Sequence, residues 1–410
     1  MNLKIRLIVM SFLQYAIWGA WLISLGAYLG GNLHFEGFQI GSFFATMGIA
    51  SLFMPGIIGI IADRWIPAQK LLGICHFLAA TFLMLAAPQT EYNTLYSFIL
   101  MSVIFYMPTI ALSNSVAYNA LTKGGLDTVK SFPPIRVWGT VGFIVAMIAV
   151  DLLGFATTAD QLYLSAGIGV LLGIYSFTLP NCEVNPGTKS KSFVDQLGLR
   201  AFALFKQKKM AIFFIFSMLL GMSLQITNAF ANDYLTNFFG KNPEYQGTFG
   251  VEHANILISL SQVSETLCIL LIPFFLRKFG IKKVMLISMF AWVLRFGLLG
   301  AGNPGNGVWM LLLSMIVYGV AFDFFNISGS LFVENETDPS IRSSAQGVFM
   351  IMTNGLGAFI GSYVAGWIVD MAGWPDSWFI FAGYSLVVAL VFAVVFKYKH
   401  NPDNFKNHSH

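Results

Sequence analysis

The composition of this chain is far more apolar than that of a soluble protein. Its 410 residues are 56% hydrophobic and 10% charged, whereas soluble domains average roughly 45–50% and 25%. The net charge of +4 comes from Lys and Arg residues scattered between apolar runs rather than from one basic patch. The composition therefore excludes a water-soluble enzyme, disfavours a nucleic-acid partner and indicates a polytopic membrane protein.

About twelve apolar runs are long enough to cross a bilayer as helices. In chain order they cover roughly 5–29, 40–61, 71–88, 95–121, 134–154, 161–179, 209–238, 253–276, 284–301, 307–334, 343–370 and 377–397. The first run follows Met1-Asn-Leu-Lys-Ile-Arg6 and is too long for a secretory signal peptide, so we interpret it as an uncleaved helix. The predicted fold class is an all-α integral membrane protein.

The loop charges predict an orientation for these helices. Basic residues concentrate at the two chain ends and in the loops after even-numbered helices, whereas the other loops carry only Lys241. By the positive-inside rule both termini lie in the cytoplasm, as an even number of helices requires.

The chain also divides into two halves. The longest polar stretch, 181–208, falls between the sixth and seventh predicted helices. Pro133-Pro-Ile-Arg136 before the fifth helix resembles Pro339-Ser-Ile-Arg342 before the eleventh, and the same interval carries Ser11 onto Ser217. We therefore predict six-helix bundles over 1–180 and 209–400, a cytoplasmic linker over 181–208 and a tail over 401–410, as in transporters built from parallel repeats.

Three charged residues lie deep in the predicted helices. Placing a charge at the bilayer centre costs at least about 2.5–3.5 kcal/mol, so Glu265, Arg295 and Asp323 each require a functional or structural reason. Arg295 could serve as the structural partner of a carboxylate. Four other acidic residues lie closer to helix ends, where we expect water to reach them: Asp151, Asp233, Glu334 and Asp370.

Helical spacing groups polar and aromatic side chains on four helix faces. The grouped residues are Gln225 with Asn228, Gln262 with Glu265, Tyr318 with Phe322 and Asp323, and Arg136 with Thr140 and Phe143. If these faces converge, the amides and carboxylates suit ribose hydroxyls, while the rings suit stacking on a flat base. Alternatively, the amides bond neighbouring helices, the rings pack the core, and Arg136 is an ordinary cytoplasmic charge.

Other kinds of site have little support. The cysteines Cys75, Cys182 and Cys268 are too dispersed to form a disulfide or metal framework, and Gly357-Ala-Phe-Ile-Gly361 is typical of helix packing. We found no catalytic triad, metal-ligand cluster or phosphate loop. We therefore expect no enzymatic activity and no cofactor.

The end of the second helix, Gly59-Ile-Ile-Ala-Asp63-Arg64, resembles the loop signature of the major facilitator superfamily. In that superfamily the carboxylate caps and pairs across neighbouring helix ends in one conformation. The resemblance implies a conformational role for Gly59, Asp63 and Arg64.

Longer motifs resemble the nucleoside:H+ symporter family of that superfamily. They include Ser11-Phe-Leu-Gln-Tyr15, Phe132-Pro-Pro-Ile-Arg136, Leu224-Gln-Ile-Thr-Asn228 and Phe322-Asp-Phe-Phe-Asn-Ile-Ser-Gly329, and together with further runs they span nearly the whole chain.

The resemblance implies uptake of nucleosides such as uridine or xanthosine, driven by protons across the bacterial cytoplasmic (inner) membrane, through alternating access in a monomer surrounded by lipid. It also implies a substrate site made of ten residues: Arg136, Thr140, Phe143, Gln225, Asn228, Gln262, Glu265, Tyr318, Phe322 and Asp323. Asp323 is our first choice for proton coupling and Glu265 for ribose contact, although the two roles could be exchanged. The alternatives are a transporter of another small neutral polar solute and a nucleoside receptor that does not translocate its ligand.

Overall fold

The computed structural model describes residues 2–184, 199–338 and 341–398, and every regular element in these ranges is helical. The middle of the predicted linker, 185–198, and the predicted tail, 401–410, lie outside the described residues. The main helices are α1 Leu3–Gly19, α2 Gly37–Arg64, α3 Ala68–Ala86, α4 Tyr92–Lys123, α5 Thr128–Leu152, α6 Asp160–Ser176, α7 Lys208–Asp233, α8 and α9 as the two arms of Ala254–Ala301, α10 Val308–Glu336, α11 Arg342–Met350 with its continuations Ile351–Gly357 and Ala358–Ala372, and α12 Asp376–Val395.

Nine helical segments among the described residues are long and apolar enough to cross a membrane. The helices α1 and α6 have 17 residues each. The segment Ala254–Ala301 has 48 residues and contains a break at Gly280, whose φ of 75° is left-handed and favours glycine. The prediction of a multi-pass, all-helical membrane protein is therefore confirmed.

Two π-helical segments occupy matching positions in the two sequence halves. The first, Tyr28–Asn32, follows α1 after a short helical turn, and the second, Tyr234–Phe238, follows α7. The interval between them equals the interval between Arg136 and Arg342. The structure thus repeats where the sequence repeats.

Both described chain ends lie on one side of the helix bundle, which we call the terminal side. The Tyr175 hydroxyl near the end of α6 donates to the Arg6 carbonyl of α1 at 3.1 Å. The Lys282 ammonium at the start of α9 donates to the Ala393 carbonyl of α12 at 2.8 Å. The loops between α1 and α2 and between α11 and α12 lie on the opposite side, which we call the far side.

Glycines allow the helices of each half to approach closely. A Cβ at Gly19 would collide with the Phe143 backbone, so α1 and α5 meet there. A Cβ at Gly357 or Gly361 would collide with Met218 or Met222 of α7. The prediction that these last two glycines serve helix packing is therefore confirmed.

Candidate functional site

Two carboxyl groups lie together between α8 and α10. Asp323 on α10 is 4% exposed, and its Oδ2 is buried without a hydrogen-bond partner among the described residues. Glu265 on α8 is half-buried and interacts electrostatically with Asp323. A buried acceptor without a partner is costly, so this oxygen is suited to a proton or a ligand.

Tyr318 connects this carboxyl pair to an aromatic surface on α10. Its ring stacks on Phe322, with centroids 5.7 Å apart and planes inclined by 5°. Its side chain lies beside Gln262 and interacts electrostatically with Glu265 and Asp323. The predicted faces of α8 and α10 therefore meet.

Arg136 and Tyr15 face the carboxyl pair from the other half of the chain. The guanidinium carbon of Arg136 lies 3.8 Å from the centroid of the Tyr15 ring, in a cation–π contact. Glu265 interacts electrostatically with Arg136 and with Tyr15. The predicted face of α5 is thus brought near the face of α8.

Four other predicted site residues lie on α5 and α7. Phe143 is 8% exposed, while Thr140 is half-buried on the same helix. The Asn228 amide donates to Gln225 Oε1 at 3.3 Å, and Gln225 is 7% exposed. This bond joins the two amides to each other, and none of the described hydrogen bonds joins them to the carboxyl pair.

The cavities differ between the centre and the terminal side. A central void of about 20 Å³, bordered by Phe322, Leu224 and Asn354, has space for one water at most. A cavity of about 580 Å³ borders the terminal-side part of α4, where Asn114, Ser115 and Asn119 supply polar groups. This larger space is open to solvent, and the residues that border it all belong to α4.

Arg295 has different partners from those considered in the sequence. Its Nη1 donates to the Ser314 carbonyl at 2.7 Å and to Ser261 Oγ at 3.4 Å. Its guanidinium carbon lies 4.6 Å from the Tyr318 ring centroid. None of the described ion pairs gives it a carboxylate, although it is 1% exposed.

The expectation that water reaches Asp151 is wrong. This residue near the end of α5 is 7% exposed and accepts hydrogen bonds from the backbone N–H groups of Asn255 at 3.0 Å and Ile256 at 3.3 Å. Its Oδ1 also lies 2.6 Å from His253 Nδ1. Because the first N–H groups of a helix have no partner within that helix, Asp151 caps α8 from the other sequence half.

Asp370 makes the corresponding contact between α11 and α2. Its carboxylate accepts the backbone N–H groups of Gly37 at 2.5 Å and Phe38 at 2.7 Å. A third far-side link joins α1 to α7, where the Asn237 amide donates to the Ala27 carbonyl at 2.9 Å. Acidic residues near helix ends were visible in the sequence, but their partners are remote in the chain and could not be identified from it.

The predicted conformational motif lies at the terminal-side end of α2. That helix ends at Arg64, and no atom in the described part of the chain would meet a Cβ at Gly59. The side chain of Asp63 lies outside the described set, so its pairing stays a prediction.

The described residues contain no group of three or more His, Cys, Asp or Glu suited to a metal ion. Cys75, Cys182 and Cys268 are free thiols. The polar side chains of the ten predicted site residues supply carboxyl, amide, hydroxyl and guanidinium groups.

A model of the family described as "Nucleoside H+ symporter" matches residues 1–401. The chain is 51% identical to the xanthosine permease of Escherichia coli strain K12 over 99% of both chains. It is 50% identical to the nucleoside permease NupG of the same strain, over 98% of this chain and 97% of that one.

Solved structures agree with these relationships. A crystal structure of the nucleoside transporter NupG has a TM-score of 0.92 at 50% identity and covers 97% of this chain and 100% of that one. A peptide transporter structure at 13% identity, covering 96% of this chain and 93% of that one, has a TM-score of 0.74 and shows a shared fold alone. This chain belongs to the nucleoside H+ symporter family and is accordingly a transporter rather than an enzyme.

Proposed function

We propose that this chain imports nucleosides together with protons across a bacterial cytoplasmic membrane by alternating access. The observation that carries the proposal is its membership of the family over residues 1–401. The carboxyl pair Glu265–Asp323, which faces Arg136 and Tyr15 from the other half, supplies groups suited to both a nucleoside and a proton. The names of the two permeases support nucleosides, including xanthosine, as the substrate class.

The proposed architecture has twelve membrane crossings in two six-helix halves, the plan of the major facilitator fold. The helices α1 and α6 would extend about 26 Å each at 1.5 Å per residue, which is close to the hydrocarbon thickness. The segment Ala254–Ala301 would extend about 72 Å if straight, more than two bilayer cores, so its break at Gly280 supports two crossings. The matching π-helical segments support halves over 1–180 and 209–400.

The described parts of the linker 181–208 connect to both halves. On the first half, the Lys123 ammonium lies 2.8 Å from the Glu183 carboxylate, and this ammonium lowers the pKa of Glu183 below its usual range. The Leu199–Lys206 segment packs against the start of α11 in the second half. These contacts support a linker between two bundles, with the tail at 401–410 beyond them.

We assign the terminal side to the cytoplasm because it carries the basic loops. The far side is closed by links between α1 and α7, α2 and α11, and α5 and α8. These links support an inward-facing state in which the bundles have closed outside the site.

The ten predicted residues are proposed as the substrate site. Tyr318 and Phe322 present parallel rings for a base, and Gln262 and Glu265 lie beside them for ribose hydroxyls. Arg136, Thr140 and Phe143 approach from α5, and Gln225 and Asn228 from α7. Asp323 has the buried unpartnered oxygen, which supports it as the residue that carries the proton.

Uptake of labelled uridine into proteoliposomes under an imposed inward proton gradient tests this function. We expect saturable accumulation that a protonophore abolishes and that unlabelled nucleosides, but not sugars or free bases, compete away. Binding of uridine without accumulation would instead identify a receptor. Competition by sugars with no effect of nucleosides would identify a transporter of another solute.

A further inference from the structure

We infer that Arg295 is a positioning residue that holds the Tyr318 hydroxyl toward the substrate. This inference rests on the proposed function, since it concerns the same site. Arg295 is not among the ten proposed site residues, and it acts from α9 behind the aromatic surface of α10.

The geometry fixes both the guanidinium and the ring. The Arg295 guanidinium donates to the Ser314 carbonyl at 2.7 Å, and the Ser314 hydroxyl donates back to the Arg295 carbonyl at 3.0 Å. The helices α9 and α10 are thus joined by two reciprocal bonds, one turn before Tyr318. The guanidinium carbon is then 4.6 Å from the Tyr318 ring centroid.

A role in folding alone does not explain a buried cation at this position. Among the described residues Arg295 makes no ion pair, and its Nε is buried without a hydrogen-bond partner. Replacing buried charged groups by apolar residues of similar volume is often neutral or stabilising. The charge therefore has its use in what it contacts, and besides the Ser314 carbonyl and the Ser261 hydroxyl that contact is the ring of Tyr318.

The guanidinium acts on both the position of the Tyr318 ring and the donor strength of its hydroxyl. A cation against the ring is attracted to its π electrons, and the attraction is stronger when both groups are desolvated. It also draws electron density from the phenol, which makes the hydroxyl a stronger hydrogen-bond donor. The stacked Phe322 ring restricts the remaining motion, so that the hydroxyl stays beside Gln262, Glu265 and Asp323.

A double-mutant cycle on the purified full-length protein tests the inference, with the dissociation constant of uridine as readout. The variants are Arg295→Met, Tyr318→Phe and the two combined. Tyr318→Phe keeps the ring and removes only the hydroxyl. We expect Arg295→Met to weaken uridine binding about tenfold in the wild-type background and less than about twofold in the Tyr318→Phe background, because the hydrogen bond it strengthens is then absent.

An equal loss of affinity in both backgrounds would overturn the inference, because Arg295 would then act independently of the hydroxyl. Arg277→Met is the matched control, since Arg277 is exposed on the same kinked segment and its loss should leave affinity unchanged. If wild-type protein binds no nucleoside, the proposed function fails, which is a separate outcome.

Arg295→Lys covers the case in which Arg295→Met does not fold. A lysine keeps the charge but lacks the planar group that stacks on an aromatic ring. We expect an affinity between those of the wild type and Tyr318→Phe, with the maximal counterflow rate unchanged at saturating uridine. Unaltered affinity in a stable Arg295→Lys protein, or an equal change in the Tyr318→Phe background, would refute the positioning role.

Discussion

The carboxylate of Asp151 lies 2.6 Å from Nδ1 of His253 and joins the end of α5 to the start of α8. The same carboxylate caps two backbone N–H groups of α8. Since α5 and α8 belong to different sequence halves, this contact must break if the halves separate on the far side. The Asp370 contacts with α2 carry the same requirement.

Replacing both carboxylates by alanine should therefore favour the state that is open on the far side. Spin labels at Thr90 and Glu244 would each lie in a far-side loop, one in each half. We expect the double variant Asp151→Ala/Asp370→Ala to have a larger population of molecules in which the two labels are far apart. Double electron–electron resonance spectroscopy measures the distribution of this distance. Each single variant should show a smaller change.

Asp160→Asn is the control for this experiment. Asp160 is exposed at the start of α6, and among the described residues its carboxylate accepts a hydrogen bond from the Thr158 hydroxyl of the same half at 2.9 Å. The spin-label distance distribution of Asp160→Asn should equal that of the wild type. If the double alanine variant also has the wild-type distribution, the two carboxylates do not hold the far side closed.

Replacing Asp323 by asparagine separates substrate movement from proton coupling. The amide keeps the size of the side chain but cannot exchange a proton near neutral pH. We expect Asp323→Asn to retain uridine counterflow, which requires no net proton movement, and to lose accumulation driven by a proton gradient. Unchanged accumulation would exclude Asp323 as the coupling residue, and Glu265→Gln would be measured next.

The stacking of Arg136 on Tyr15 predicts that charge alone is not sufficient at this position. A lysine retains the positive charge but stacks poorly on a ring. We expect Arg136→Lys to bind uridine about tenfold more weakly, a loss near that of one charge-assisted contact. Calorimetry on purified protein measures the change, and wild-type affinity in this variant would contradict a role for the stacked geometry.

The close approach of α2 and α11 leaves no space for a side chain at Gly41. A Cβ at Gly41 would collide with the carbonyl of Ser362, and overpacking of this kind costs about 1–3 kcal/mol. We expect Gly41→Ala to lower the melting temperature of the closed form. Gly167→Ala on α6 is the control and should leave the melting temperature unchanged, because no atom of the described residues would meet its Cβ. Equal melting temperatures of the two variants would contradict a steric conflict at Gly41.

The membrane class and the chemical groups of the candidate site can be inferred from the amino-acid sequence alone. A long apolar run in lipid forms a helix because a helix satisfies the hydrogen bonds of every backbone group internally. The predicted span 71–88, for example, lies within a few residues of the observed helix Ala68–Ala86. Glu265 and Asp323 could be selected because charge is costly in the bilayer. Their neighbours Gln262, Tyr318 and Phe322 followed from helical spacing, which depends only on local geometry.

Contacts between residues that are remote in the chain could not be inferred in this way and become visible only in the folded structure. Asp151 was expected in water because it lies near a helix end, yet its partners at residues 253–256 follow it by 102 to 105 residues and bury it. Arg295 could have paired with a carboxylate, but the packing of α9 on α10 places it on the Tyr318 ring instead. Spacing along one helix predicts a shared face, whereas contacts between helices depend on how the whole bundle packs.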